Sequence, residues 1–388
     1  MSKGAGSVST RGPLGGVRVL ELGGMGPGPF AGMTLADMGA EVIRIERPGG
    51  LGVFPGDPRL DVMNRGKQII CLDLKHPEAV DAVLTAVRTS DILIEGNRPG
   101  VTERLGLGPE QCWERNPGLV YGRMTGWGQS GPLSDRAGHD VSYIALTGAL
   151  HGIGEVGGPP QIPLNLVGDF GGGATYLVMG VLAALLEARS TGRGQVVDAA
   201  IVDGAAHLLA GTHGLLNTGT WRDERGVNML DGGAPYYAVY ATSDGGHMAV
   251  GAIEPKFYAQ FVQGLGLELD LGAQDDRQTW PETRRRIAEA FASRTRSEWT
   301  EVFEATDACV APVLSMMESA AHPHVAARGG VLVEDGYVQP GQAPRFSDHP
   351  AAGFERPHLP GADTRAVLDW LGLDTEALLA SGAAREAL

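Results

Sequence analysis

A histidine and a carboxylate, each set between glycines, stand thirty positions apart in Gly138-His139-Asp140 and Gly168-Asp169-Phe170-Gly171-Gly172-Gly173. Imidazole and carboxylate bind protons with different intrinsic affinities, and two such acceptors, each on backbone where something must come close, suggest acid/base work from two sides. Glycine beside each removes a Cβ, so a ligand or a second stretch of backbone can come close. Asp169 precedes the apolar run Ala174 to Leu186, which reads as a buried helix too short to span a bilayer. At or just before the N-terminus of that helix, unpaired amides and the helix dipole would stabilise negative charge on the carboxylate or on an oxyanion beside it. Each residue alone has a plainer reading, the Asp as a helix cap and the His as a structural residue.

Other motifs narrow the field. Gly26-Pro27-Gly28-Pro29-Phe30-Ala31 follows a strand and matches a dinucleotide fingerprint, with Glu46 where a ribose-binding acid would stand. Two prolines in that loop remove amide donors a pyrophosphate would need, which argues against dinucleotide binding. Gly126-Trp127-Gly128-Gln129-Ser130-Gly131 runs into Pro132 and no helix, so it reads as a flexible loop leading to Gly138. No G-x-S-x-G elbow and no Walker loop occurs, and His322-Pro323-His324 holds its imidazoles too rigidly apart for a metal site. Cys71, Cys112 and Cys309 are scattered and odd in number, so neither a disulfide framework nor a zinc site is expected, and a reducing, cytoplasmic setting is.

The net charge of −15 argues against nucleic acid and anionic membranes as partners. Against that acidic background Arg44, Arg47, Arg65, Lys67, Lys75 and Arg98 lie near strand ends, where an open α/β sheet binds ligands, and such a basic edge suits a phosphorylated ligand.

The elements that must position these residues are those of an α/β protein. Short β-branched runs at Val17 to Leu22, Glu41 to Glu46, Ile69 to Leu74, Asp91 to Glu95, Leu119 to Met124 and Gln195 to Ala199 alternate with helical patterns at Phe30 to Met38, Pro77 to Arg88 and Pro109 to Arg115. That order predicts a parallel sheet covered by helices. Tyr236 to Thr242 and His247 to Val250 read as a hairpin closed by Ser243-Asp244-Gly245-Gly246, followed by helices near Pro255 to Leu265, Pro281 to Ser293 and Arg296 to Thr306. The expected organisation is a disordered tail without a signal-peptide core (1–12), a large Rossmann-like domain (13–220), a small α+β domain (221–320), and a return segment with the C-terminal part packing on the large domain (321–388).

Gly96-Asn97-Arg98-Pro99-Gly100, Arg123-Met124-Thr125-Gly126-Trp127-Gly128, the two glycine-framed motifs, Gly194-Gln195-Val196-Val197-Asp198 and Gly251-Ala252-Ile253-Glu254-Pro255 together resemble the family III coenzyme A transferase superfamily over roughly residues 13 to 350. The resemblance implies a Rossmann-like large domain with a smaller α+β domain, and an interlocked homodimer. His139 in its Gly-His-Asp context and Glu254 before Pro255 are similar to the racemase branch, in which 2-methylacyl-CoA thioesters invert at the α-carbon. In that branch His139 and Asp169 would be the two acid/base groups, Glu254 would orient or charge the imidazole, and Arg98 would join the polar network of the site. Coenzyme A contacts implied by position are Arg47, Leu72, Asp73, Leu74, Lys75, Gly96, Asn97, Arg98, Gly138, Asp140 and Tyr143. The resemblance implies no metal and no cofactor apart from the coenzyme A carried by the substrate. In the transferase branch the same Asp169 would be a covalent nucleophile, and a coenzyme A-binding scaffold is the non-enzymatic reading. The helix Ala205 to Leu216 contains no methionine, so the length and shape of the acyl group stay open.

Overall fold

The computed structural model describes residues 12–50, 56–350 and 353–387. Apart from Gly12, the expected N-terminal tail lies outside the described residues. The chain divides into two compact units, one made of Met1–Thr147, Leu164–Leu208 and Gly329–Leu388, the other of Gly148–Pro163 and Leu209–Arg328. Residues 148–163 and 209–220, expected in the large domain, therefore group with the second unit, and 329–388 group with the first.

The first unit is built on a seven-stranded sheet of β1 (Arg18–Leu22), β2 (Glu41–Glu46), β3 (Lys67–Leu72), β4 (Ile92–Glu95), β5 (Val120–Thr125), β6 (Val196–Ala200) and β12 (Ala384–Arg385), ordered β12-β3-β2-β1-β4-β5-β6. All neighbours run parallel except β12, which lies antiparallel to β3. Successive side chains of a strand point to opposite faces, and this chain fills both. Leu20, Leu22, Ile43, Ile45, Ile70 and Leu93 join Ala79, Ala82 and Val83 of the helix Pro77–Val87 in one core cluster. Val19, Val42, Ile92, Ile94 and Val120 join the helices Pro27–Asp37 and Thr175–Thr191 in another. Burial on both faces is why these strands read as continuous apolar runs, and each fully buried branched side chain contributes about 1.5–3 kcal/mol.

Strand bounds fall within two residues of those expected from the sequence, the usual fraying of element ends. The first helix starts at Pro27 and not Phe30. Both of its prolines fall in the first turn, where a missing N–H costs no helical bond. The helix expected to run unbroken through Ala205 to Leu216 is interrupted at Leu209, giving Ile201–Leu208 and Ala210–Asn217.

The second unit carries an antiparallel sheet of β7 (Tyr237–Ala241), β8 (His247–Gly251) and β9 (Val310–Pro312), with the helices Pro255–Leu265, Trp280–Phe291 and Arg296–Phe303. Its core is aromatic: Phe291 stacks on Tyr240 with ring centroids 5.3 Å apart and meets Trp299 edge-on at 5.2 Å. In the first unit a hairpin of β10 (Val331–Glu334) and β11 (Tyr337–Pro340) is anchored by the buried Arg65, which donates to Gln339 Oε1 (3.1 Å) and the Pro340 carbonyl (2.6 Å) and pairs with Asp37.

Candidate active site

His139 occupies the N-cap position of the helix Asp140–Leu146, in extended backbone, with its N–H donating to Ser142 Oγ at 3.1 Å. The side chain is exposed. Behind it the Tyr143 hydroxyl donates to the Gly138 carbonyl (2.5 Å), and the ring meets Trp127 edge-on at 4.8 Å. A Cβ at Gly126 or Gly138 would overlap the Tyr143 ring, so these glycines make room for an internal side chain. The segment after Gly126, expected to be a flexible loop, is pinned: Gly128 N–H donates to Thr125 Oγ1 (3.1 Å) and Gln129 N–H to Asp198 Oδ2 (3.0 Å).

Asp169 lies at the N-terminus of its helix, in the first turn and not before it. A π-helical segment, Leu166–Ala174, runs straight into Thr175–Thr191, and Asp169 lies in its first turn with the glycine run inside the helix. π turns are wider than α turns and recur at functional sites. Within it Gly172 lies against the backbone of Gly204 and Ala205, where a Cβ on either glycine would collide with main-chain atoms. The expectation of a helix too short for a bilayer is also corrected, because Leu166–Thr191 spans 26 residues and is long and apolar enough to cross one. Leu177, Val181, Ala184 and Leu185 instead bury one face of it against the sheet.

Asp140 links the two motifs. It is buried, and its Oδ2 accepts the Asp169 N–H at 2.7 Å. A Cβ at Gly168 would overlap that oxygen. Burial raises the Asp140 carboxyl above the usual carboxylate range, opposed by the amides of Asp169 and Gly168. Burial likewise raises Asp169; the Asn165 amide at 3.3 Å lowers it, the Asp140 charge raises it and His139 lowers it. Tyr143 is pushed up by burial and by Asp169, with Arg98 pulling the other way, so the exposed Arg98 lies within electrostatic reach of this cluster.

The remaining expected residues lie along the carboxyl ends of the strands. Exposed Arg47 follows β2, half-buried Asp73 and Leu74 and exposed Lys75 follow β3, and Gly96, Asn97 and Arg98 follow β4. Leu72 faces the core and offers a ligand only its main chain. Three cations read as part of a ligand-binding edge are internal instead. Arg44 pairs with Glu21 and Glu46, Arg65 with Asp37, and Lys67 with Glu21 at 2.7 Å, each with a side chain no more than 5% exposed. Glu254 belongs to the second unit, exposed at the N-cap of Pro255–Leu265, so the first unit by itself brings together His139, Asp140, Asp169, Tyr143 and Arg98 and not Glu254.

Residues 14–364 match the family model described as CoA-transferase family III. The chain belongs to CoA-transferase family III. Proteins named alpha-methylacyl-CoA racemase from mouse and human are each 44% identical to it, over 94% of this chain and 95% and 94% of their own lengths. The crystal structure of a CAIB/BAIF family protein from Brucella suis superposes with a TM-score of 0.77 at 25% identity, covering 93% of this chain and all of that one.

Three features beside the candidate site were not legible in the sequence. Gly26, with φ of 67°, holds its α-carbon so that a Cβ would lie 3.3 Å from Asp169 Oδ2; the loop that mimics a dinucleotide fingerprint abuts the carboxylate. Phe30 from the same helix stacks on Phe170 at 4.5 Å. Glu95, buried at the end of β4, accepts the Asn97 N–H at 2.7 Å beneath the Gly96–Gly100 loop, and burial pushes its carboxyl up to about 7 against the pull of that amide and of Arg123. Only the glycines around these positions were a signal.

Proposed function

We propose that this chain interconverts (2R)- and (2S)-2-methylacyl-CoA thioesters by 1,1-proton transfer, with His139 and Asp169 as the two acid/base groups. The single observation that carries the reading is the joining of the two glycine-framed motifs: the residue after His139 accepts the main-chain N–H of Asp169 at 2.7 Å. The name shared by the mouse and human relatives supports the choice of reaction.

The α-proton of a thioester is acidified by the adjacent carbonyl, and its removal leaves an enolate whose oxygen needs hydrogen-bond donors. In one direction neutral His139 takes the proton while protonated Asp169 delivers one to the opposite face; in the other, ionised Asp169 takes it and the imidazolium returns one. Each turnover moves one proton on and one off, so the pair ends in the opposite protonation state and resets through solvent. Partial burial suits Asp169 to this task, because it raises the proton affinity of the carboxyl and narrows the gap to an imidazole. Amides at the start of Asp140–Leu146 are the proposed donors to the enolate. Glu254 is proposed to orient or charge the His139 imidazole, and Arg98 to sit in the polar network. Arg47, Asp73, Leu74, Lys75, Gly96 and Asn97 are proposed to hold coenzyme A, with the main chain of Leu72, Gly138, Asp140 and Tyr143. The working form is proposed to be a homodimer.

The decisive experiment offers one enantiomer of a 2-methylacyl-CoA in deuterium oxide with no acceptor acid. Deuterium incorporation at the α-carbon with inversion is expected, and no incorporation from any branched acyl-CoA overturns the reading. The family description favours one competing reading, coenzyme A transfer through an Asp169 anhydride. That reading requires a second carboxylic acid and leaves Asp169 sensitive to hydroxylamine during turnover.

A further inference from the structure

We propose that the Asp140 side chain is a positioning residue that fixes the spacing of His139 and Asp169 by capping the first turn of Leu166–Ala174 from the start of the helix that carries His139. The proposal rests on the reading of His139 and Asp169 as the proton-transfer pair.

Chain connectivity does not set that spacing. Between the two motifs the chain passes through residues 148–163, which belong to the second unit, so a tertiary contact must hold the motifs together. Asp140 is covalently next to His139, and its Oδ2 holds the Asp169 N–H at 2.7 Å. That N–H is one of the donors a helix leaves unpaired in its first turn, and a carboxylate acceptor makes the bond charge-assisted and about twice as strong as a neutral one. The residue is 7% exposed, and its Oδ1 has no hydrogen-bond partner among the described residues. A carboxylate half-satisfied in the interior is costly to keep. A solvent-facing cap would have done for the helix alone; what the buried location adds is a link to the His139 turn. Gly168 is part of the same device, since any side chain there would displace the carboxylate.

The same carboxylate acts on the chemistry of its neighbour. The groups acting on Asp169 are Asn165 in its own segment and Asp140 and His139 from the facing helix start, with Tyr143 and Arg98 close by. The Asp140 charge opposes ionisation of Asp169 and so keeps it a stronger base.

Two readouts test this, one of them independent of turnover. Amide hydrogen exchange of the peptide containing Leu166–Phe170 is compared in the full-length wild-type protein, Asp140→Asn and Asp140→Ala, together with α-proton exchange of both 2-methylacyl-CoA enantiomers across pH. Asp140→Ala is expected to speed exchange of that peptide about 10- to 100-fold and to lower α-proton exchange by a similar factor in kcat with KM little changed. Asp140→Asn, which keeps an acceptor oxygen, is expected to retain most of the protection while its acid limb moves to lower pH. Wild-type protection in Asp140→Ala, or unaltered rates and pH limbs in both variants, would overturn the proposal. A wild type that exchanges no α-proton, alongside an Asp140→Ala variant that loses protection, would overturn the racemase reading while supporting Asp140 as the clamp of the segment.

Discussion

Two groups of charged residues in the first unit are built on opposite principles. On β1, β2 and β3, Glu21, Glu46, Arg44 and Lys67 form a closed set: Lys67 Nζ donates to Glu21 Oε2 (2.7 Å) and the Pro29 carbonyl (2.9 Å), and Arg44 reaches Glu21, Glu46 and the Gly24 carbonyl. Burial pulls Lys67 down to about 8, with Glu21 pulling the other way. At the candidate site Asp140 and Asp169 are neighbours of like charge, served by backbone amides, an Asn and an exposed imidazole. Where every charge has a counter-charge the group holds the fold; where neighbouring carboxylates lack a paired Lys or Arg, proton affinity is raised and available for work. Glu95 falls between the two, with Arg123 only partly compensating it at 3.7 Å.

The sharpest way to break this contrast is to neutralise one member of each group. Asp169→Asn is expected to lower α-proton exchange by about 10²–10⁴-fold with urea stability at pH 7 unchanged or raised, since a carboxyl whose proton affinity is raised by folding costs stability once ionised. Glu21→Ala should do the reverse, leaving Lys67 buried without its partner and costing about 3–5 kcal/mol in a denaturant melt while the residual folded protein still exchanges the α-proton. If Asp169→Asn unfolds the protein, or Glu21→Ala leaves its melt intact, the distinction fails.

Glu95 tests the intermediate case through pH. Its folded-state carboxyl stands at about 7, above the ordinary 4.5, so its contribution to stability is full below pH 4.5 and lost as pH rises through 7. Glu95→Gln should therefore exceed the wild type at pH 8 by up to about 3 kcal/mol, with the difference closing near pH 4; an equal gap at both pH values would exclude titration of this group. The smallest effect is expected for Gly26→Ala, which forces a positive φ on a residue with a Cβ at a cost of about 1–2 kcal/mol and crowds Asp169 Oδ2. A thermal melt and the exchange rate together report whether strain or crowding dominates.

The sheet was readable because parallel strands buried on both faces carry unbroken apolar runs, and helix starts were readable where proline opens the first turn, as at Pro77 and Pro255. His139 and Asp169 were readable as candidates from their glycines, but the purpose of the glycines was not. Most of them admit Tyr143, the Asp140 carboxylate and the Ile201–Leu208 helix, partners set by tertiary contact that spacing along the chain does not specify. The π segment was missed because composition alone does not separate an i→i+5 from an i→i+4 ladder. Arg44, Arg65 and Lys67 were misplaced for a related reason: a cation near a strand end looks the same in sequence whether it faces solvent or a buried carboxylate.

The close approach of Gly172 to Gly204 has a consequence for how this site can change over generations. Two main chains in contact leave no side chain whose size could be adjusted by degrees, so the neighbourhood of Asp169 in sequence space is steep: one added methyl is already a collision. Gradual remodelling has to come from positions that still carry side chains, Asn165, Tyr143 and Phe30 among them. A mount that cannot drift, surrounded by residues that can, lets a lineage revise what is done at one carboxylate without moving it.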